Sequence, residues 1–237
     1  MSLLVVGLEL RLALARRRLF VLNVAVPLLL VTPIALGSAP AFHAAAVYTV
    51  LFVLSGTFGS AIPLVRDAEA GLLDRVLRSG LSPACYLLQR AAAGSVLDAL
   101  QLAPALAVAS LMAGASAAGL AMVWFALAVS LWIANLLGVA VAAAARSLAE
   151  TALFSAVTSL LLLHVSGVFR TPAQGSVWAG AESASPFRAL HEATLAMFTA
   201  SPAQGGTALV LWALVLPAIT VLFARPLTAA LRAVRSS

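Results

Sequence analysis

The chain of 237 residues is 63% hydrophobic and only 9% charged, whereas a soluble domain carries roughly a quarter charged residues to cover its surface. Apolar side chains outnumber what a core can hide, so the surplus has to face lipid. The net charge of +6 rests on fourteen basic residues, all arginine; they sit in short connections with no basic stripe interleaved with aromatics, which argues against nucleic-acid binding.

Residues 2–18 open the chain as an amphipathic stretch, with leucines alternating with Glu9, Arg11 and the cluster Arg16, Arg17 and Arg18. This pattern predicts an interfacial helix whose arginines meet the headgroups of membrane lipids. A spanning helix needs about 20 mostly apolar residues, and six stretches qualify: 19–37, 42–65, 84–113, 119–145, 150–169 and 206–224. The first, with Arg16–Arg18 before it and Gly37-Ser38-Ala39-Pro40-Ala41 after it, also has the outline of a signal peptide. It is long for one and more membrane helix follows, so we read it as retained. Pro27, Pro33, Pro104 and Pro217 lie inside apolar runs, where neighbouring helices can satisfy the freed carbonyls. No linker divides the chain, and residues 1–237 read as a single transmembrane domain of all-α class.

The arginines alternate between connections. Arg11, Arg16, Arg17, Arg18, Arg66, Arg75, Arg78, Arg90, Arg146, Arg225, Arg232 and Arg235 fall on one side; Arg170 and Arg188 fall on the other. The positive-inside rule then predicts that both termini face the cytoplasm, in a multi-pass protein of the inner (cytoplasmic) membrane.

The second connection, from Arg66 to Pro83, reads as a short amphipathic helix. Leu72, Leu73, Val76 and Leu77 share one face, and Asp74, Arg75 and Arg78 lie on the other, with Asp74 and Arg78 at the favourable i,i+4 spacing. Gly80 can end this helix, and Ser82-Pro83 supplies a cap and a first-turn proline for the next. On spacing alone it is equally an ordinary interfacial helix or a docking element. In the third span Asp98 is followed one turn later by Gln101; a carboxylate at this depth is a functional candidate by default, the alternatives being a bundle-facing hydrogen bond or neutralisation by protonation. Ser55 and Phe58 in the second span, with Thr151, Ser155 and Thr158 in the fifth, either pack helices together or line a substrate pathway. The long fifth connection, Arg170 to about Gly205, holds a second short helix opened by Ser185-Pro186. In it Phe187, Leu190, Thr194, Met197 and Phe198 share a face and Arg188 pairs with Glu192, so it would rest in the outer leaflet before the last span.

Several chemistries are excluded. Without lysine the chain cannot carry a phosphate-binding loop, which needs one for the β and γ phosphates, nor form a Schiff base. Cys85 stands alone, so there is no internal disulfide or cysteine metal cluster. His43, His164 and His191 lack metal-ligand spacing. His164 and Ser166, two residues apart, point away from each other on a helix, which argues against a serine protease.

The run Glu69-Ala70-Gly71-Leu72-Leu73-Asp74-Arg75-Val76-Leu77, followed by Ser82-Pro83 and a long span, resembles the type 2 ABC-exporter permeases, in which an acidic residue precedes Gly-Thr-Leu-Glu. Here Leu72 replaces the usual Thr and Asp74 the usual Glu. Ser185-Pro186-Phe187 through Phe198 is similar to the family's outer helix. The resemblance implies a transport subunit with no catalytic residue, metal or cofactor of its own, the ATP and Mg residing on a separate cytoplasmic ABC ATPase subunit. A second permease copy would complete a homodimer, or a related permease a heterodimer. Residues 67–78 would be the coupling helix, with Leu72, Leu73, Val76 and Leu77 as an apolar anchor in the ATPase cleft and Glu69, Asp74 and Arg75 at its rim. Family members export drugs, antibiotics, lipids or lipid-linked polysaccharides. A haem-exporter B-like subunit of cytochrome c maturation is an alternative, against which the polar outer helix argues; a proton-coupled secondary transporter using Asp98 is another.

Overall fold

A computed structural model describes residues 4–37, 39–170, 175–199 and 206–233. Eleven helices appear among them: α1 (Leu4–Ala15), α2 (Arg17–Leu36), α3 (Ala41–Glu69), α4 (Leu72–Arg78), α5 (Pro83–Met112), α6 (Ala117–Ala144), α7 (Leu148–Val165), α8 (Val177–Ala184), α9 (Pro186–Thr199), α10 (Gly206–Leu222) and α11 (Ala224–Ala233). There is no strand among the described residues.

Five helices, α2, α3, α5, α6 and α7, are long and apolar enough to cross a membrane, and the bent pair α10–α11 counts as a sixth when taken as one span. The protein is an all-α membrane protein. The last apolar stretch, expected over 206–224, is α10 (Gly206–Leu222); beyond it the chain bends by 66° into α11, which the hydropathy pattern did not foresee. The reason is compositional: α10 is apolar throughout, while α11 sets Leu231, 0% exposed, and the buried Thr228 against exposed Arg225 and Arg232. An amphipathic segment of that kind gains by turning along the bundle end rather than continuing into lipid.

Serine hydroxyls start four of the helices. Ser82, Ser116, Ser147 and Ser176 accept from the backbone N–H groups of Cys85, Gly119, Glu150 and Ala179 at 3.1–3.2 Å, each satisfying a donor that a helix start leaves without a partner.

The centre of the bundle is the crossing of α3 and α6, which glycines make close. A Cβ at Gly138 would collide with the Thr57 carbonyl oxygen of α3, and one at Gly56 would come within 2.7 Å of the Ala134 Cβ of α6. Small residues at the contact let backbones approach where lipid supplies no hydrophobic drive. Two apolar clusters flank this crossing. One, around Tyr48, Phe52, Leu106, Leu127, Phe187 and Leu190, fills the half toward α9. The other, around Leu64, Leu73, Leu87, Val139 and Leu231, fills the arginine-rich half. The helix opened by Pro186 packs against α3 and α6, with His191 edge-on to Phe42 and Phe198 tilted against Tyr48.

Candidate functional site

The turn after α3 is built by one glycine. Gly71 is buried at φ 68°, a conformation that a Cβ would strain, and it reverses the chain into α4. Helix α4 ends at Ser79, followed by Gly80 at φ 92°. The result is a seven-residue helix lying across the arginine-rich end between two spans. Its faces differ from the expected arrangement. Leu73 is 2% exposed and belongs to the core cluster that holds Leu64, Leu87 and Leu231, with Val76 and Leu77 packed against it. Leu73 therefore anchors α4 to its own chain, and Val76 and Leu77, partly buried, add to that packing. Leu72, at 39% exposed, is the apolar side chain left outside, beside exposed Glu69 and Arg75. The i,i+4 pairing also takes another form: Arg78 Nε donates to the Asp74 main-chain carbonyl at 3.2 Å, while the Asp74 carboxylate meets Arg232 Nε of α11 at 2.8 Å.

Next to this elbow lies an ion cluster. Arg90 of α5 is 5% exposed and pairs with Glu9 of α1 and, at 3.2 Å, with Asp67 of α3. Tyr86 Oη donates to the same Asp67 at 3.4 Å. A buried guanidinium without its partners would be strongly destabilising, so the Glu9 pair holds α1, which is apolar around most of its circumference, against the bundle. The loop-by-loop arginine count placed Arg90 with the topological charges; in the structure it is a structural cation.

About two turns deeper on α5, Asp98 is 7% exposed and accepts a hydrogen bond from Asn135 Nδ2 of α6 at 2.9 Å. Asn135 is fully buried; its Nδ2 also reaches the Leu131 carbonyl at 3.0 Å, and its Oδ1 accepts from Ser60 Oγ at 2.5 Å. Gly59 and Gly94 give room for these groups, because a Cβ at either would land on Asp98 or Asn135 respectively. Asn135 went unread in the sequence. A lone amide in the middle of a 28-residue apolar helix is the signal that could have found it, since intramembrane polar side chains seek one another.

A cavity of about 830 Å³ opens between α1–α2 on one side and α3 and α5 on the other, with Ser55, Phe58, Gly59, Asp98 and Gln101 in its lining and Arg66, Asp67 and Arg90 toward its arginine-rich end. Two of the expected pathway residues, Ser55 and Phe58, are thus joined by both intramembrane polar residues. The other three are elsewhere. Helix α7 packs chiefly on α3; Thr151 and Ser155 are buried, Thr158 is half-buried, and Thr151 Oγ1 is spent on the Ser147 carbonyl at 2.7 Å. These three residues are not in the lining of the cavity.

At the opposite end Arg188 bridges Glu192 at 2.6 Å, the expected pair, and also Glu182 of α8 at 3.1 Å. Burial pushes the Glu182 carboxyl above the ordinary range, against the pull of Arg188 and Arg170. Ser166 and Ser185 share a hydrogen bond of 2.5 Å, tying the end of α7 to the start of α9. Among the described residues no three His, Cys, Asp or Glu side chains form a metal-binding group.

Comparison with known proteins adds the family. No curated protein matches the chain. Residues 9–199, from the ion-paired Glu9 to the end of α9, match the family model described as ABC-2 type transporter. The chain belongs to the ABC-2 type transporter family and is the membrane-spanning permease subunit of such a transporter.

Proposed function

We propose that this permease is the membrane half of an ATP-driven exporter, placed in the cytoplasmic membrane with its arginine-rich end inside and paired with a separate ABC ATPase. The observation that carries this reading is α4. It is a short helix packed across the arginine-rich end, between two spans, by Leu73, Val76 and Leu77, with Glu69, Leu72 and Arg75 left outward. A lever that transmits motion has to be fixed to its own chain and exposed toward its driver, and α4 is packed on one side and open on the other. Two copies of the permease with two ATPases would complete the transporter, as a homodimer or with a related permease. The absence of lysine supports placing ATP and Mg on the ATPase, since a phosphate-binding loop requires one.

The test is co-purification of the ATPase, normalised to folded permease in detergent. Leu72→Asp and Arg75→Glu should each lower the bound ATPase while leaving the permease's melting temperature unchanged. Arg75→Ala should act more mildly, because rim charges chiefly set orientation and on-rate. Permease alone should hydrolyse no ATP above background. Full ATPase retention by the Leu72→Asp, Arg75→Glu double variant would remove α4 from the coupling role. Ion-driven transport by a chain that binds no ATPase would favour the proton-coupled mechanism through Asp98.

A further inference from the structure

The cavity between α1–α2 and α3–α5 has a chemistry of its own. Its walls are largely apolar, with Leu51, Ile62 and Leu97 facing Val26 and Phe20 across the opening. Of the three carboxylates in its lining, Glu9 and Asp67 are taken up by Arg90 at the arginine-rich end, where Arg16 and Arg66 also line it; the third, Asp98, lies deeper and is held by Asn135 at 2.9 Å. Asn135 is fixed in turn by Ser60 and the Leu131 carbonyl. Among the described residues no arginine pairs with Asp98. Arg90, the nearest cation on the same helix, lies eight residues away, about 12 Å at 1.5 Å per residue, and is already engaged by Glu9 and Asp67. A carboxylate at membrane depth costs free energy unless a partner compensates it, and the protein provides a neutral amide where a cation would complete the site. Gly59 keeps the approach to the carboxylate clear, since any Cβ there would cover it.

We propose that this cavity binds a cationic amphiphile, its protonated amine or quaternary ammonium head on Asp98 and its hydrocarbon part along the apolar wall of α2. The volume of about 830 Å³ falls within the range of drug-sized sites. Entry is from the lipid side: α2, which forms one wall and packs on α5, leaves most of its apolar stretch exposed, with 11% of it buried. Phe58 borders the floor beside Ser55 and offers an aromatic face to the same cation. Gln101, one turn beyond Asp98 and half-buried, supplies a hydrogen-bonding group for a polar substituent. This names the class of molecule that the proposed exporter would carry, and it rests on that reading only for the step from binding to transport.

The experiment reads binding without nucleotide, in full-length permease reconstituted in nanodiscs of zwitterionic lipid. The probe is a twelve-carbon alkyl trimethylammonium bearing a diazirine, with the corresponding alcohol and alkyl sulfate as neutral and anionic counterparts. Saturable photolabelling by the cation should map to α2, α3 and α5 around Phe58, and unlabelled cation should compete it while alkyl sulfate should not. Asp98→Asn still accepts the Asn135 hydrogen bond but lacks the charge, and it should lower saturable labelling by about tenfold or more, the loss expected for a charge-assisted contact. Asp98→Glu should retain most of it. Ser55→Phe narrows the cavity beside Phe58 while leaving Asp98 in place, and should lower saturable labelling at an unchanged melting temperature. Equal labelling by the three probes, undiminished labelling in Asp98→Asn, or undiminished labelling in Ser55→Phe would overturn the site. ATPase co-purification is measured separately, so a permease that binds its ATPase but not the cation would retain the exporter reading and lose this one.

Discussion

At the residue scale, Leu72 and Leu73 are neighbours in sequence with opposite duties. Truncating Leu73 to Ala removes a fully packed side chain and should cost about 2–4 kcal/mol, read as a lower unfolding temperature in detergent. Leu72→Ala, at a half-open position, should stay within about 0.5 kcal/mol of the parent. The periodicity of α4 showed which residues share a face but not what that face meets, because the same spacing suits a partner's cleft, a lipid surface or the chain's own core. The choice is made by α11 and Leu87, far away in sequence. His191 offers a second test at this scale. Burial keeps its imidazole neutral below the usual range, outweighing the Ala45 backbone and Glu192, which favour the protonated form. Its Nδ1 lies 3.4 Å from Thr49 Oγ1, and Nε2 has no hydrogen-bond partner among the described residues. A histidine whose folded pKa is depressed contributes stability that is present above its unfolded pKa and lost as pH falls. Stability should therefore decline as pH drops below about 6.5, the unperturbed histidine value, and His191→Gln should flatten that decline in pH-dependent melting. An unchanged slope in the variant would mean that His191 is not its source.

At the element scale, α11 is the piece that sequence reading missed. Its arginines were counted only as charges that orient the chain, yet Leu227, Thr228 and Leu231 already lay at helical spacing. The 66° bend was beyond a hydropathy window, which sees Phe223 and Ala224 as one continuous run. In the fold, α11 braces α4 through Leu231 in the shared cluster and through the Arg232–Asp74 pair. The ion pair, with Arg232 half exposed, should contribute only about 0–1 kcal/mol, so Arg232→Ala should change melting little. Deleting residues 224–237 removes Leu231 as well, and amide exchange in α4 should accelerate markedly by mass spectrometry while α6 stays protected. Slow exchange at α4 in the truncated protein would show that α3 and α5 suffice to hold it. The six apolar segments and the helix opened by Pro186 were legible because each is a long hydropathy or capping signal. Asn135 was not, since its partner Asp98 lies on a different helix and only packing joins them.

At the scale of the whole molecule, the arginine asymmetry makes the orientation testable. In a Cys85→Ser background, a cysteine at Ala115, between α5 and α6, should react with an impermeant thiol reagent added outside intact cells, and one at Ser79 should not. Reversed labelling would invert the orientation and take the coupling role of α4 with it. Ser38 and Gln174, the other outer positions that the sequence suggests for such labels, lie outside the described residues.

The glycine-made crossing of α3 and α6 has a consequence for how such a protein can diverge. Where a Cβ would strike a main-chain oxygen, as at Gly138 against Thr57, no neighbouring side chain can yield, so nearly every replacement is penalised. Helix α2 is the opposite case: Leu19 and Val26, which line the cavity, are exposed, and either exchanged for another apolar residue disturbs little packing. The two regimes meet across one cavity, with its carboxylate mounted on the intolerant side and its opposite wall on the tolerant one. Lineages of this permease can therefore reshape the cavity by drift along α2, while the carboxylate of Asp98 and the frame that holds it stay fixed.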